Sequence, residues 1–190
     1  TALMGNDLST FPDFPAEIRA PVGTTFGVSA YQIQFGGPLV LTHGDEVDVL
    51  IAFNPAALKT NLHSLRIGGL LIIDEGAFTK RNFKKAGYEG DPLEDEALGK
   101  YQLLKIDITA RTHEAVDAMG ASKKQGDRAK NFWALGLVFW MFGRDRKETL
   151  DWIKSKFAKA EEVVAANSGA LNAGHAYGET MEIGADLAAR

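Results

Sequence analysis

The histidines His43, His63, His113 and His175 come first, because imidazole both moves protons near neutral pH and ligates metals. Their spacing fits no metal-ligand pattern, so they read as surface or capping residues. Carboxylates gather at Asp45, Glu46 and Asp48, just ahead of an apolar run, and at Glu94, Asp95 and Glu96. Paired carboxylates do acid–base work, but carboxylates in turns and loops are ordinary. Cations gather at Lys80, Arg81, Lys84 and Lys85, and again at Lys123, Lys124, Arg128 and Lys130. Such runs hold the phosphates of a nucleotide, meet an acidic partner, or form a solvated helix face. Asn54-Pro55 follows an apolar strand, at the end where open α/β sheets bind ligands. A helix N-terminus there favours anions, and it is equally a plain cap. The chain has no G-x-G-x-x-G, no P-loop and no G-x-S-x-G. The residues alone therefore describe a domain without its own catalytic constellation and name no reaction.

These groups must be positioned by an α/β scaffold. Residues 1–27 hold three of the six prolines and read as extended, irregular chain. Residues 28–35 alternate, with Tyr31, Ile33 and Phe35 on one face and Gln32 and Gln34 on the other, as in a half-buried strand. Gly36-Gly37-Pro38 turns, and Leu39-Val40-Leu41 is expected to return as its antiparallel partner. Val47 to Phe53 is nearly continuously apolar, as a parallel strand covered on both faces should be. Asn54 caps a helix running from Ala56 to Leu65 with Pro55 at its first position. Leu70 to Ile73 is a second buried strand, completing a βαβ unit with a right-handed crossover. A short helix over Thr79 to Ala86, a strand over Tyr101 to Ile106 and a helix over Thr109 to Met119 follow. The C-terminal half reads as helical. Capping boxes at Ser122-x-x-Gln125 and Asp145-x-x-Glu148 open helices to Phe142 and about Phe157. A last helix runs from about Ala160 to Leu171 and ends near Gly174, leaving 175–190 as a tail or linker.

The chain has 190 residues, with 21 Lys+Arg against 25 Asp+Glu and a net charge of −4. That balance argues against a protein whose main task is gripping nucleic acid. The longest apolar run, Phe132 to Phe142, is shorter than the roughly 20 residues of a membrane-spanning helix. The N-terminus does not read as a signal peptide. Cysteine is absent, so the chain supplies no thiol nucleophile and no thiolate for a zinc or iron–sulfur centre. Its absence fits a reducing compartment such as the cytoplasm.

An ordered set of strings then becomes informative. Asp13-Phe14-Pro15-Ala16-Glu17-Ile18-Arg19-Ala20-Pro21, Gly44-Asp45-Glu46-Val47-Asp48 and Asn54-Pro55-Ala56-Ala57-Leu58-Lys59 are three of them. Phe78-Thr79-Lys80-Arg81-Asn82, Lys130-Asn131-Phe132-Trp133 and Ala173-Gly174-His175-Ala176-Tyr177-Gly178-Glu179-Thr180 are others. Together they span nearly the whole chain. The set resembles the gamma domain of 2-oxoacid:ferredoxin oxidoreductases, most of all the N-terminal part of the alpha subunit of 2-oxoglutarate-type enzymes. The resemblance implies a three-layer, Rossmann-like open sheet, mostly parallel, with an antiparallel hairpin and a helical C-terminal part. The gamma-type domain would span 1–174. That domain usually begins with a strand and a Gly-rich loop. Here the chain starts inside or after the helix that follows them, at about Thr1 to Met4, so that first strand and loop are expected to be missing.

The implied reaction is oxidative decarboxylation of a 2-oxoacid, with coenzyme A taking the acyl group and ferredoxin the electrons, or its reversal. Thiamine diphosphate and iron–sulfur clusters would sit on other domains or subunits, namely the rest of the alpha subunit and a beta subunit. The isolated chain is then expected to be inactive and to work as part of an oligomer, in contact with neither nucleic acid nor membrane. By analogy, coenzyme A contact falls to Pro15, Glu17, Arg19 and Thr24 and to Asn54 at the strand end. Arg19 suits a phosphate or carboxylate through its fork of donors, or it pairs with Glu17 across a domain boundary. The contrasting reading is a stand-alone α/β ligand-binding or interaction module.

Overall fold

A computed structural model describes residues 8–13, 29–35 and 46–181, giving the backbone alone for 8–13 and 35. The chain divides into two compact units, residues 1–106 and 107–190.

The first unit contains a three-stranded parallel sheet in the order β3-β4-β5 and a two-stranded antiparallel ladder, β1-β2. Strand β3 (Val47–Ala52) pairs with β4 (Leu65–Asp74), and β4 with β5 (Gln102–Ile106). Leu71, Ile72 and Ile73 in the middle strand are fully buried, which is why that stretch is apolar without alternation. Its core joins Ala52, Leu58, Leu65, Leu71 and Ile73 to Phe78, Phe83 and Leu98. Burying each such large side chain contributes about 1.5–3 kcal/mol.

Helix α1 (Pro55–Asn61) starts where the residue types require: Asn54 Oδ1 accepts a 2.8 Å hydrogen bond from the Ala57 amide, with Pro55 next in line. The helix is shorter than the expected Ala56–Leu65. Leu62–Ser64 tightens into a 3₁₀ turn, where Ser64 Oγ donates to the Asn61 carbonyl at 2.7 Å. Strand β4 then begins at Leu65, five residues before the expected Leu70. The extra residues form a bulge, since Val47 pairs with Leu65 but Val49 pairs with Leu70. Gly68 takes φ +77°, and a Cβ on Gly69 would crowd the Arg66 carbonyl. Arg66 Nε donates to Asp48 Oδ1 at 2.6 Å, and Gln102 Nε2 donates to the Gly68 carbonyl at 3.0 Å, so the bulge is tied to both neighbouring strands. Helix α2 (Lys80–Lys85) follows β4, capped by Thr79 and seated on buried Phe83.

The ladder brings in a strand that the sequence reading did not expect. Strand β2 (Ala30–Phe35) pairs with β1 (Leu8–Asp13), in a segment read as irregular, with Thr10 opposite Ile33 and Pro12 opposite Tyr31. Among the described residues each of these strands is bonded on one side only, where a proline lacking its donor is tolerated. The expected return strand at residues 39–41 lies outside the described residues. The faces are also reversed. Tyr31 and Ile33 are 56% and 44% exposed, while Gln32 and Gln34 are half-buried. Alternation shows which residues share a face, not which face is covered.

The second unit is helical. Asp107 caps α3 (Ile108–Asp117), accepting from the Ala110 amide at 2.9 Å, and Gly120 at φ +72° follows its end. Helix α4 (Lys123–Met141) buries Trp133, Leu137 and Met141, as its near-continuous apolar second half requires. The expected capping box at its start is not formed. Ser122 makes no side-chain cap, and its amide donates instead to Glu162 Oε1 at 2.9 Å. Helix α5 (Lys147–Lys156) opens one residue later than its box implies, with Asp145 Oδ1 accepting from the Lys147 amide at 2.9 Å.

Helix α6 (Glu161–Thr180) corrects the reading of the C-terminus. It runs through Gly174, which had been read as its stop. A Cβ there would overlap the Trp133 carbonyl of α4, and one on Gly136 would overlap the Leu171 carbonyl of α6. Glycine is needed at both points so that two helix backbones can touch. Residues 175–180, read as tail, are therefore the last turns of a packed helix. Tyr177 lies 5.3 Å from the Trp133 ring.

Candidate functional site

Because β3, β4 and β5 run parallel, their carboxyl ends share one edge, the place where such sheets receive ligands. Asn54 ends β3, and its side-chain oxygen is committed to starting α1. Asp74 ends β4 and is fully buried. Beyond it, residues 75–77 make one 3₁₀ turn and lead into α2. Asn82 Nδ2 donates to the Ala77 carbonyl at 2.8 Å and ties the helix back onto that turn.

The four cations of α2, Lys80, Arg81, Lys84 and Lys85, are all exposed. The far end of α2 is held by Lys59 of α1. Lys59 Nζ donates to the carbonyls of Ala86 (3.1 Å) and Gly87 (2.7 Å) and sits 4.8 Å from the Tyr88 ring centre. A cation at a helix C-terminus meets both unsatisfied carbonyls and the negative end of the dipole. The sequence showed Lys59 only as the last residue of a family string. Its role needs Ala86 and Gly87, some 27 residues away, to be seen. Burial, and then Asp95, push the Tyr88 phenol above its ordinary value.

Of the other expected site residues, Pro15, Glu17, Arg19 and Thr24 lie outside the described residues. His43 and Asp45 lie outside them too, and several of the remaining candidates are accounted for locally. Asp48 is paired with Arg66. Asp91 and Asp95 accept from the Leu93 and Ala97 amides and form turns. Lys130 Nζ turns inward to Thr109 Oγ1 at 3.3 Å. His113 Nε2 lies 2.9 Å from Asp127 Oδ1. His175 lies edge-on to Trp140, and burial, helped by Arg146 and opposed by Glu179, holds it below its ordinary value. No group of three His, Asp or Glu side chains among the described residues is arranged to hold a metal. No helix among them is long and apolar enough to cross a membrane.

Comparison with known proteins gives a consistent picture. The 2-oxoglutarate oxidoreductase subunit KorA of Mycobacterium tuberculosis (strain ATCC 25618 / H37Rv) is 52% identical over 181 residues, 95% of this chain and 28% of that protein. The chain thus spans little more than a quarter of its relative's length. A solved 2-oxoglutarate:ferredoxin oxidoreductase from Magnetococcus marinus, with 2-oxoglutarate, coenzyme A and succinyl-CoA bound, superposes with a TM-score of 0.63. Identity there is 25%, over 92% of this chain and 26% of that one. The keto/oxoacid ferredoxin oxidoreductase gamma subunit from Geobacter sulfurreducens PCA shares the fold, with a TM-score of 0.52 and 16% identity over 93% of this chain and 85% of that one. The family model for pyruvate ferredoxin/flavodoxin oxidoreductase matches residues 1–177, and the chain belongs to that family.

Proposed function

We propose that this chain is the non-catalytic gamma-type domain of a 2-oxoglutarate:ferredoxin oxidoreductase. The observation that carries this reading is the 52% identity to KorA over 95% of the chain. The reaction joins decarboxylation of 2-oxoglutarate to acyl transfer. Carbon dioxide leaves, the succinyl carbon bonds to the coenzyme A sulfur, and two electrons pass to ferredoxin. Thiamine diphosphate, when bound, supplies the carbanion-stabilising chemistry. Without cysteine this chain has no thiolate for an iron–sulfur cluster. We therefore assign thiamine and clusters to the rest of the alpha subunit and to a beta subunit, and to this chain a share in coenzyme A capture. Pro15, Glu17, Arg19 and Thr24 are assigned to coenzyme A contact, with Asn54 acting by fixing the start of α1 at the binding edge. The cysteine-free composition supports a cytoplasmic place.

The test is reconstitution. The purified 190-residue chain should neither turn over 2-oxoglutarate nor bind thiamine diphosphate. The whole oxidoreductase containing it should reduce ferredoxin only when 2-oxoglutarate and coenzyme A are both present. Turnover by the chain alone, or ferredoxin reduction that ignores coenzyme A, defeats the reading.

A further inference from the structure

We infer that Met119 is a reversible oxidation site, at which hydrogen peroxide converts the thioether to the sulfoxide and so loosens the hold of the α3–α4 connection on α6. The inference goes beyond the proposed function and does not depend on it. Met119 stands in the turn that closes α3. Its amide donates to the Val116 carbonyl at 3.0 Å, and Gly120 follows at φ +72°. The residue is 56% exposed, open to a small oxidant in water. Its side chain is nevertheless seated. A Cβ on Gly169 of α6 would stand 3.1 Å from Met119 Cγ and 3.6 Å from its Cε. Those two carbons are the ones bonded to the sulfur, so the thioether lies over a stretch of α6 that carries no side chain.

Three residues on, the Ser122 amide donates to Glu162 Oε1 at 2.9 Å. Glu162 and Gly169 are two helical turns apart and share one face of α6. The connection between α3 and α4 is thus fastened to α6 at two points, one polar and one apolar, and oxidation acts on the apolar one. The step balances. A sulfur lone pair attacks one oxygen of the peroxide, the O–O bond breaks, and the other oxygen leaves as water once it has taken the proton. The sulfur is oxidised by two electrons and the peroxide is reduced by them. A flexible apolar side chain becomes a polar, chiral one. The backbone it covers offers the new oxygen no donor. The Gly169 amide lies in the middle of a bonded helix, and the Ala115 carbonyl, an acceptor, is 3.7 Å from the same spot. The sulfoxide is therefore better placed in water than on its seat. Met141, buried on α4, and Met181, 55% exposed just past the end of α6, supply the contrasts.

The experiment treats the whole oxidoreductase with hydrogen peroxide, maps the oxidised methionines by peptide mass, and follows backbone hydrogen exchange. Met119 and Met181 should gain oxygen while Met141 does not. Amides of residues 118–124 should then exchange about fivefold faster or more, the factor that the loss of one such contact produces. A methionine sulfoxide reductase should restore the slow exchange. Met119→Leu should keep the apolar seat and abolish the response, and Met181→Leu should respond like the parent. Met119→Gln should exchange fast without peroxide. Should the Met119 variants fail to fold, the parent before treatment, after treatment and after reductase carries the same comparison. Met119 left unoxidised while Met181 reacts overturns the inference, as does oxidised Met119 with unchanged exchange at 118–124. Loosening that persists in Met119→Leu, or that disappears in Met181→Leu, also overturns it.

Discussion

A lysine amine that reaches two backbone carbonyls does more than carry charge. Lys59 satisfies Ala86 and Gly87 at the end of α2 and lies against Tyr88, so one side chain joins two helices. Lys59→Met should keep the stem's packing and lose the bonds. A loss of about 1–2 kcal/mol is expected, read from the urea midpoint. Glu162 makes a comparable link in the helical unit. The Ser122 amide, then the Ser122 side chain, hold its carboxyl below the ordinary 4.5, and burial opposes them weakly. A depressed native value stabilises the fold above the unfolded value, and that stabilisation disappears as pH falls through the native one. Melting temperatures of the parent and Glu162→Gln should therefore differ most near neutrality and converge in acid. Equal melting temperatures at pH 7 would contradict the assignment. Asn54 and its start of α1 were legible in the sequence, because a cap acts within three residues. Lys59 and Glu162 were not, because their partners lie 27 and 40 residues away.

At the scale of elements, the contact between α4 and α6 depends on having no side chain at two positions. Gly136→Ala or Gly174→Ala places a methyl group into the opposite backbone. Alanine favours an isolated helix by under about 1 kcal/mol, while overpacking costs roughly 1–3 kcal/mol, so a net loss is expected. Thermal melts should show it, with Gly99→Ala, which meets nothing within 4 Å, as the neutral control. The same glycine explains the misread C-terminus. A helix stop and a close helix crossing use the same residue for different reasons, and only the crossing partner tells them apart. The apolar strand β4, by contrast, was plain in the sequence, since burial on both faces leaves few other compositions, whereas β3, expected to be covered on both faces, is an edge strand among the described residues, buried fully only at Ala52.

For the whole molecule, the reversed ladder matters most. Tyr31 and Ile33 turn outward in a chain little more than a quarter the length of its relative. Apolar side chains displayed together on a paired strand invite association. The double variant Tyr31→Ser, Ile33→Thr should leave the melting temperature of the isolated chain nearly unchanged and reduce its self-association, measured by light scattering. Parent-like scattering from the variant would remove that face from the account. Of the expected binding residues only Asn54 falls within the described structure. The part of the site that could be built up from geometry is therefore the sheet edge and α2, not the 15–24 loop.

The bulge in β4 has a consequence for how the sheet finds its alignment. Strands that alternate carry their own ruler, because a slip by one residue turns oily groups to water. Val47–Ala52 and Leu70–Ile73 carry no such ruler, since nearly every residue is apolar and a shifted pairing buries about as much. The four residues Arg66 to Gly69 act as an index pin. They fit one alignment, the one in which Arg66 meets Asp48 and the Gly68 carbonyl meets Gln102. A sheet too uniform to count its own residues is thus set by a short segment that does not follow its pattern.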